Sequence, residues 1–237
     1  MVIERSSFLS RLCAVAMVLL ILGGVNAQVT VIGAMRNTMF NGQLAGLVKL
    51  DSIAHPHAYG LGPMEFLKGE ILLLDGHVLT STVSNDSSMR VQELAGAKAP
   101  FFVHQTVDAW RTVTLPDSIT DLDRLDAFLV AHAGAGEAPF AFRMVGRIQQ
   151  AEIHVVALPE GAAVHSPEDA HQGQRSFALK DMDCELIGFF STRHKAVFTH
   201  HDSNLHVHLI TRDRRFMGHL DSVHFDPRLT TLYLPSS

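Results

Sequence analysis

The amino-acid sequence predicts an α+β fold that is rich in β-structure, with mixed sheets in two packed halves and few helices. Three observations lead to this class. Many short segments alternate polar and apolar residues or form apolar runs, and turn-forming pairs separate them. Only one longer stretch has a clear helical period. The composition, 47% hydrophobic and 18% charged residues, is that of a globular chain with enough apolar residues to build a core.

The first predicted hairpin lies in the segment 66–79. Asp75-Gly76 separates two apolar runs there, which is a strong signal of a tight hairpin turn. Strand periodicity places Glu70, Leu72 and Leu74 on one face. A carboxylate among leucines costs free energy unless a charged or hydrogen-bonding group meets it. Glu70 is therefore either an edge residue that faces solvent or a carboxylate directed into a site.

One main helix is predicted to begin at Ser118. Ser118 and Asp121 resemble a capping box, and the apolar residues that follow recur at three- and four-residue spacing. We expect the helix to end in the glycine-rich stretch 133–136, which is also the predicted linker. The N-terminal half is then β-rich with one main helix, 28–136. The C-terminal half, 137–237, is β-rich and carries the histidine site described below.

The first 27 residues have the pattern of a secretory signal peptide. Arg5 and Arg11 precede an apolar run at 12–22, and small residues end the segment at Ala27. The apolar run is short for a membrane span. We expect signal peptide 1–27 to direct export to the periplasm or the medium, with no membrane contact after its removal.

Charge and cysteine content exclude several classes of protein. The formal net charge is −5, so the sequence has no strongly basic character for nucleic-acid binding. Cys184 stands alone once the leader is removed, and its apolar neighbours predict a buried residue without a disulfide. A serine or cysteine hydrolase is not indicated, because the sequence has no nucleophile elbow and no activated cysteine context.

Three histidines near the C-terminus carry the most chemical information. His206 and His208 lie one residue apart in an alternating segment, so a strand would project both imidazoles from one face, about 6.6 Å apart along the backbone. After a polar turn at 211–215, a returning strand could bring His219 beside them. A single histidine in a strand is more often packed or exposed than a ligand. Three imidazoles with one position open, however, are how catalytic zinc is held, and other divalent metals also accept them.

With this spacing, the chain resembles the bacterial alpha-acetolactate decarboxylases over nearly all of the sequence after the leader. Segment 60–76 looks like the family's N-terminal block, and Glu70 falls on its active-site glutamate. Segment 206–219 reproduces the family's zinc triad in residue type and spacing. The resemblance implies that His206, His208 and His219 bind zinc and that Glu70 is catalytic. It also implies a homodimer formed through sheet edges.

The reaction implied by this resemblance is decarboxylation of 2-acetolactate, a branched 2-hydroxy-3-oxo acid, to acetoin and CO₂, as in acetoin biosynthesis. Loss of CO₂ leaves negative charge that must spread into the adjacent carbonyl. Zinc bound by the substrate's hydroxyl and carbonyl oxygens would stabilise that charge. Glu70 would transfer the proton. No organic cofactor is expected.

The sequence departs from the family at two positions. The family arginine that meets the anionic substrate appears here as His154, which lacks the planar two-pronged guanidinium but remains a candidate catalytic residue. The glutamate of the family's C-terminal extension has no counterpart before Ser237. These departures favour an alternative, a secreted homologue that binds metal but is non-catalytic or has another substrate. Retention of the complete triad together with Glu70 favours an enzyme.

A cupin-type metal enzyme is a third alternative. Cupins also begin their metal site with two histidines one residue apart on a strand. They place a glutamate ligand a few residues later, and the segment 212–215 offers none.

Overall fold

The structure is a computed structural model that describes residues 28–133, 138–199 and 202–236. The predicted signal peptide and residues 134–136 of the predicted linker lie outside these ranges. The helices are α1 (Met35–Asn41), α2 (Leu122–Ala133) and α3 (Pro167–Ala170). The strands are β1 (Thr30–Ile32), β2 (Val48–Lys49), β3 (Ala58–Pro63), β4 (Glu70–Leu74), β5 (His77–Asn85), β6 (Ser88–Glu93), β7 (Lys98–Ala99), β8 (Phe102–Thr106), β9 (Trp110–Val113), β10 (Phe140–Val155), β11 (Arg175–Phe190), β12 (Leu205–Thr211) and β13 (Met217–Pro235).

Two large sheets form the molecule, which confirms the prediction of a β-rich α+β fold. The first has six strands in the order β1-β8-β3-β4-β5-β6. The second has five strands in the order β10-β11-β12-β13-β9, and an additional pairing between β10 and β13 closes four of them into a ring. A short third sheet pairs β2 with β7.

The pairings between named strands are antiparallel, whereas mixed sheets were expected. The reason lies in the connections. Neighbouring strands such as β4 and β5 are joined by short turns, and antiparallel pairs can be joined this way whereas parallel pairs need a long crossover. The chain passes from the first sheet to the second between β8 and β9, at residues 107–109. The change of sheet thus comes before α2, and the division at 136 stays a prediction.

The hairpin predicted at Asp75-Gly76 is present. Leu74 pairs with His77, and the two residues between them have φ values of 50° and 84°. Two positive φ values in a two-residue loop are typical of a type I′ turn, which matches the twist of the flanking strands. This turn fixes the register of β4 and therefore the direction in which Glu70 points.

The main helix begins at Leu122 rather than at Ser118. Its first turn is capped by Asp121, whose carboxylate accepts a hydrogen bond of 3.0 Å from the backbone N–H of Arg124. A side-chain oxygen that accepts from the third residue of the helix is the usual N-cap arrangement. The capping residue of the predicted pair is therefore Asp121, and Ser118 lies in the turn before it.

Apolar residues from the two large sheets pack against each other and fix their relative position. Leu61 and Leu72 of the first sheet share one buried cluster with Ile187, Phe189 and Met217 of the second. A separate cluster lies on the other side of the second sheet and includes α2. Among the described residues, no helix has both the length and the apolar character needed to cross a membrane. The boundary between the sheets is where the candidate site lies.

Candidate functional site

The three predicted ligand histidines come together in the structure. His206 and His208 lie on β12, and His219 lies on β13, where it pairs directly with His208. One ligand nitrogen from each ring lies within 4.8 Å of the others, and all three residues are buried. The ring centroids of His206 and His219 are 5.0 Å apart. Three converging imidazoles are a donor set suited to zinc or a similar divalent ion.

Close packing of β13 against β10 sets the position of His219. The pair His154 and His219 lies opposite across these strands. A Cβ added to the preceding residue, Gly218, would lie only 2.4 Å from the carbonyl oxygen of His154. Glycine is therefore required at this position, because a side chain would push the two strands apart.

Glu70 lies beside the triad, at the first position of β4. Its side chain is buried, and one oxygen, Oε2, is 3.7 Å from Nε2 of His208. The other oxygen accepts a hydrogen bond of 3.3 Å from the backbone N–H of Val156. Burial raises the pKa of Glu70 well above its usual range, and the Val156 bond only partly opposes this. The structure thus selects the inward-facing orientation for Glu70 over the solvent-facing edge position.

His154 is buried next to the triad and is hydrogen-bonded to an acid. Its Nδ1–H donates to Oδ1 of Asp221 over 2.7 Å, and its ring centroid is 4.7 Å from that of His219. A second neighbour is His171, whose Nδ1–H donates to the carbonyl oxygen of Pro167 at 2.6 Å. Burial lowers the pKa of His171, which favours its neutral form.

A cavity of about 250 Å³ opens onto these groups. Glu70, His154, His206 and His219 line it on one side. The rest of the wall comes from α1, α3 and nearby loops. Its residues include Met35, Arg36, Met39, Phe40, Phe101, Val156, Pro167 and His171. The volume is close to the lower end of small-molecule sites, roughly 300 Å³, so the cavity suits a compact ligand.

Sequence patterns alone did not identify Arg36, Asp221 or His171 as part of the site. Asp221 had a usable signal, because it follows His219 by two residues in a strand and so shares its side. Arg36 and His171 had no such signal. They reach the cavity through the packing of α1 and α3, which no local pattern encodes.

Together, the fold and site define a β-rich protein with a buried three-histidine centre and an adjacent protonatable carboxyl group. Comparison with known proteins identifies its family. The model of the alpha-acetolactate decarboxylase family matches residues 29–232. The chain belongs to the alpha-acetolactate decarboxylase family.

Individual relatives agree with this assignment. The chain is 24% identical over 191 residues to the alpha-acetolactate decarboxylase of Brevibacillus brevis. That match covers 80% of this chain and 64% of the relative, so the chain spans less than two thirds of the relative's length.

Two crystal structures share the fold. Alpha-acetolactate decarboxylase from Bacillus subtilis strain 168 has a TM-score of 0.70 with 18% identity, over 89% of this chain and 86% of that one. A protein of unknown function from Staphylococcus aureus, described as similar to alpha-acetolactate decarboxylase, has a TM-score of 0.69 with 16% identity. That match covers 88% of this chain and 84% of the other.

Proposed function

We propose that this protein decarboxylates 2-acetolactate to acetoin and CO₂ with a divalent metal, zinc by preference, held by His206, His208 and His219. The observation that carries the proposal is the position of Glu70. Its carboxyl group lies 3.7 Å from a triad imidazole, inside a cavity that two of the triad histidines line. Family membership supports the reaction class. The activity is carried over from proteins named as acetolactate decarboxylases.

The three imidazoles fit a metal of this kind, because neutral nitrogen donors without thiolates suit zinc. A bound ion would supply Lewis acidity for the negative charge that develops on the substrate's carbonyl oxygen. Other divalent ions accept the same donors, so the native metal depends on availability.

The chain's own residues supply the proton and exclude water. Loss of CO₂ leaves an electron pair on the substrate carbon and its adjoining carbonyl, and one proton is needed to form the product. Glu70 is buried, and burial raises its pKa, which favours the protonated form that can donate to that carbon. Phe101, Val156 and Met39 line the cavity with apolar surface that limits access of water.

The direct test is to express the protein, measure its zinc content, and follow acetoin formed from racemic acetolactate. We expect stoichiometric zinc and acetoin production in the wild type. Glu70→Gln should keep the metal and lower kcat by about 10² to 10⁴, the usual contribution of a positioned acid or base. Glu152→Gln, at an exposed glutamate on β10, is the matched control and should retain full activity. Acetoin formation by Glu70→Gln at the wild-type rate would exclude Glu70 as the proton donor.

A metal-binding homologue with no decarboxylase activity, or with another substrate, is the second candidate. The observation that favours it is the His154–Asp221 pair, which occupies the position expected to meet the anionic substrate. Stoichiometric zinc without acetoin would support this candidate over the first.

Export and dimerisation complete the proposal. The sequence pattern of residues 1–27 supports export, and family resemblance supports a homodimer. N-terminal sequencing of the secreted protein should give Gln28 as its first residue. A retained Met1 would contradict the proposed export.

Light scattering of the purified protein should give twice the chain mass. A monomeric mass would contradict the proposed homodimer.

A further inference from the structure

Helix α1 contributes a cationic side chain to the wall of the cavity. Arg36 lines the same cavity as Glu70, His206 and His219. Among the described residues that line this cavity, Arg36 is the only arginine, and no lysine is present. Its guanidinium stays charged at any physiological pH. Any permanent positive charge that side chains supply to the cavity wall therefore comes from α1.

No protein carboxylate neutralises Arg36 within the part of the chain that the structure describes. The ion pairs found there involve other arginines, such as Arg143 with Glu185 and Arg175 with Asp86. Glu70 is the acid that shares the cavity with Arg36, and its two oxygens face Nε2 of His208 and the backbone N–H of Val156. The charge of Arg36 is thus available to an anion that enters the cavity.

The backbone of α1 holds Arg36 in a defined place. The N–H of Met35 donates to the carbonyl oxygen of Val197 over 2.7 Å, and the N–H of Arg36 donates to that of Ala196 over 3.0 Å. Ala196 also lines the cavity. The helix ends at Gly42, which adopts the left-handed conformation usual at a helix C-terminus. The start of α1 is therefore anchored beside the site.

His154 is less suited to bind an anion. Its Nδ1–H is already donated to Asp221, so only Nε2 can face a ligand. Arg36 offers a full charge and several donors in a planar arrangement that matches a carboxylate.

We propose that Arg36 is the specificity-determining residue that binds the carboxylate group of a 2-hydroxy-3-oxo acid in this cavity. The inference rests on the proposed function for the identity of the substrate. Because the carboxylate becomes neutral CO₂ during the reaction, its attraction to Arg36 acts mainly on the bound substrate. Loss of Arg36 should therefore raise KM far more than it changes kcat.

The test compares Arg36→Gln and Arg36→Lys with Arg90→Gln, which removes the charge of an exposed arginine on β6. We expect Arg36→Gln to raise KM for acetolactate by about tenfold or more, as for loss of a hydrogen bond to a charged group. The KM of Arg36→Lys should lie between those of the wild type and Arg36→Gln. In Arg90→Gln, KM should stay within about twofold of wild type. Zinc content should be unchanged in each variant.

Acetoin serves as the neutral probe, since it keeps the hydroxy-ketone group and lacks the carboxylate. Its inhibition constant should change by less than about twofold in Arg36→Gln. An unchanged KM for acetolactate in an active Arg36→Gln enzyme would overturn the inference and leave the proposed function intact. An equal rise in the inhibition constant of acetoin would also overturn it, because the effect of the substitution would then not depend on the substrate's carboxylate.

A wild type that produces no acetoin would refute the proposed function, and binding then tests Arg36 by itself. Calorimetry would compare acetolactate with its neutral ethyl ester on the zinc-loaded wild type and Arg36→Gln proteins. A loss of affinity of about tenfold or more in the variant, for the acid but not for the ester, would uphold the role of Arg36. Equal affinities for acid and ester in the wild type, or no binding of the acid, would overturn it.

Discussion

At the scale of single residues, the molecule keeps one carboxyl group away from water. Glu70 is 3% exposed, and its oxygens face one backbone N–H and a triad imidazole. Ionising a carboxyl group in such a place costs free energy, because a single hydrogen bond does not replace its hydration. The same burial that would make Glu70 a proton donor therefore makes it a liability for the stability of the metal-free protein.

The free-energy cost of burying Glu70 depends on pH. The pKa of Glu70 is raised in the folded state above its ordinary value of 4.5. Stability gained from the protonated form is complete below that ordinary value and is lost as the pH rises towards the folded pKa. Glu70→Gln has no ionisable group at this position, so its stability does not depend on the pKa of residue 70. We therefore expect metal-free wild type and Glu70→Gln to differ more in free energy of unfolding at pH 8 than at pH 5, with the wild type losing stability relative to the variant.

Urea denaturation at several pH values measures this difference. Glu152→Gln, at an exposed position, should follow the wild type throughout. A constant difference between wild type and Glu70→Gln across this range would mean that Glu70 has the same pKa in the folded and unfolded states.

At the scale of elements, the site depends on how closely three strands approach each other. β13 pairs with β12 through His219 and His208, and with β10 through His219 and His154. Gly218 permits the second approach. The loop that joins β12 and β13 is tight, with Arg214 at a positive φ of 56°. Together these features hold the two ligand-bearing strands in one register.

Gly218→Ala should therefore damage both stability and metal binding. The added methyl group would meet the His154 carbonyl oxygen at 2.4 Å, and overpacking of this kind costs about 1 to 3 kcal/mol. We expect a lower urea midpoint and weaker zinc binding by competition with a chromophoric chelator. Gly96→Ala is the matched control, because its new Cβ would have only one neighbour, at 3.8 Å. Wild-type zinc affinity in Gly218→Ala would show that the strands tolerate separation at this point.

Sequence patterns correctly predicted the turns and strand pairs that depend on neighbouring residues. The turn at Asp75-Gly76 follows from two residues with positive φ, and the β12–β13 pair follows from alternation on both sides of a polar turn. The start of α2 was misplaced because Ser118 and Asp121 are both good capping residues, and only tertiary structure selects between them. β10 is continuous from Phe140 to Val155 and pairs with both β11 and β13, a long-range arrangement that local chemistry does not define.

At the scale of the whole molecule, the candidate site lies between the two sheets. The triad is on the second sheet and Glu70 is on the first, and the hydrogen bond from Val156 to Glu70 joins them. The grouping of the three histidines with Glu70 was predictable because their residue types and spacing are characteristic. Arg36 was not, because its place at the cavity results from packing of α1 against the loop around Ala196. Interactions between distant segments leave no periodic trace in sequence.

Metal binding should stabilise the folded protein. Only the folded chain brings the three imidazoles together, so bound metal shifts the equilibrium towards it. With free zinc at about 100 times its Kd, the gain is about 2.7 kcal/mol. For a chain of this size that corresponds to a rise in Tm of roughly 5 to 10 °C. Scanning calorimetry before and after treatment with a chelator measures the shift.

Two histidine variants make this measurement specific to the triad. His208→Ala should remove the shift, whereas His77→Ala, at an exposed histidine on β5, should keep it. An equal shift in both variants would mean that zinc binds elsewhere on the chain.

The three ligand histidines lie within fourteen residues of one another on a single hairpin, whereas Glu70 belongs to a sheet formed much earlier in the chain. In the proposed mechanism, capture of the ion and transfer of the proton are therefore separable properties. A mutation that loosens the first sheet would leave a protein that still takes up zinc but has no acid beside it. Metal content alone would then be a poor measure of the active fraction in any preparation.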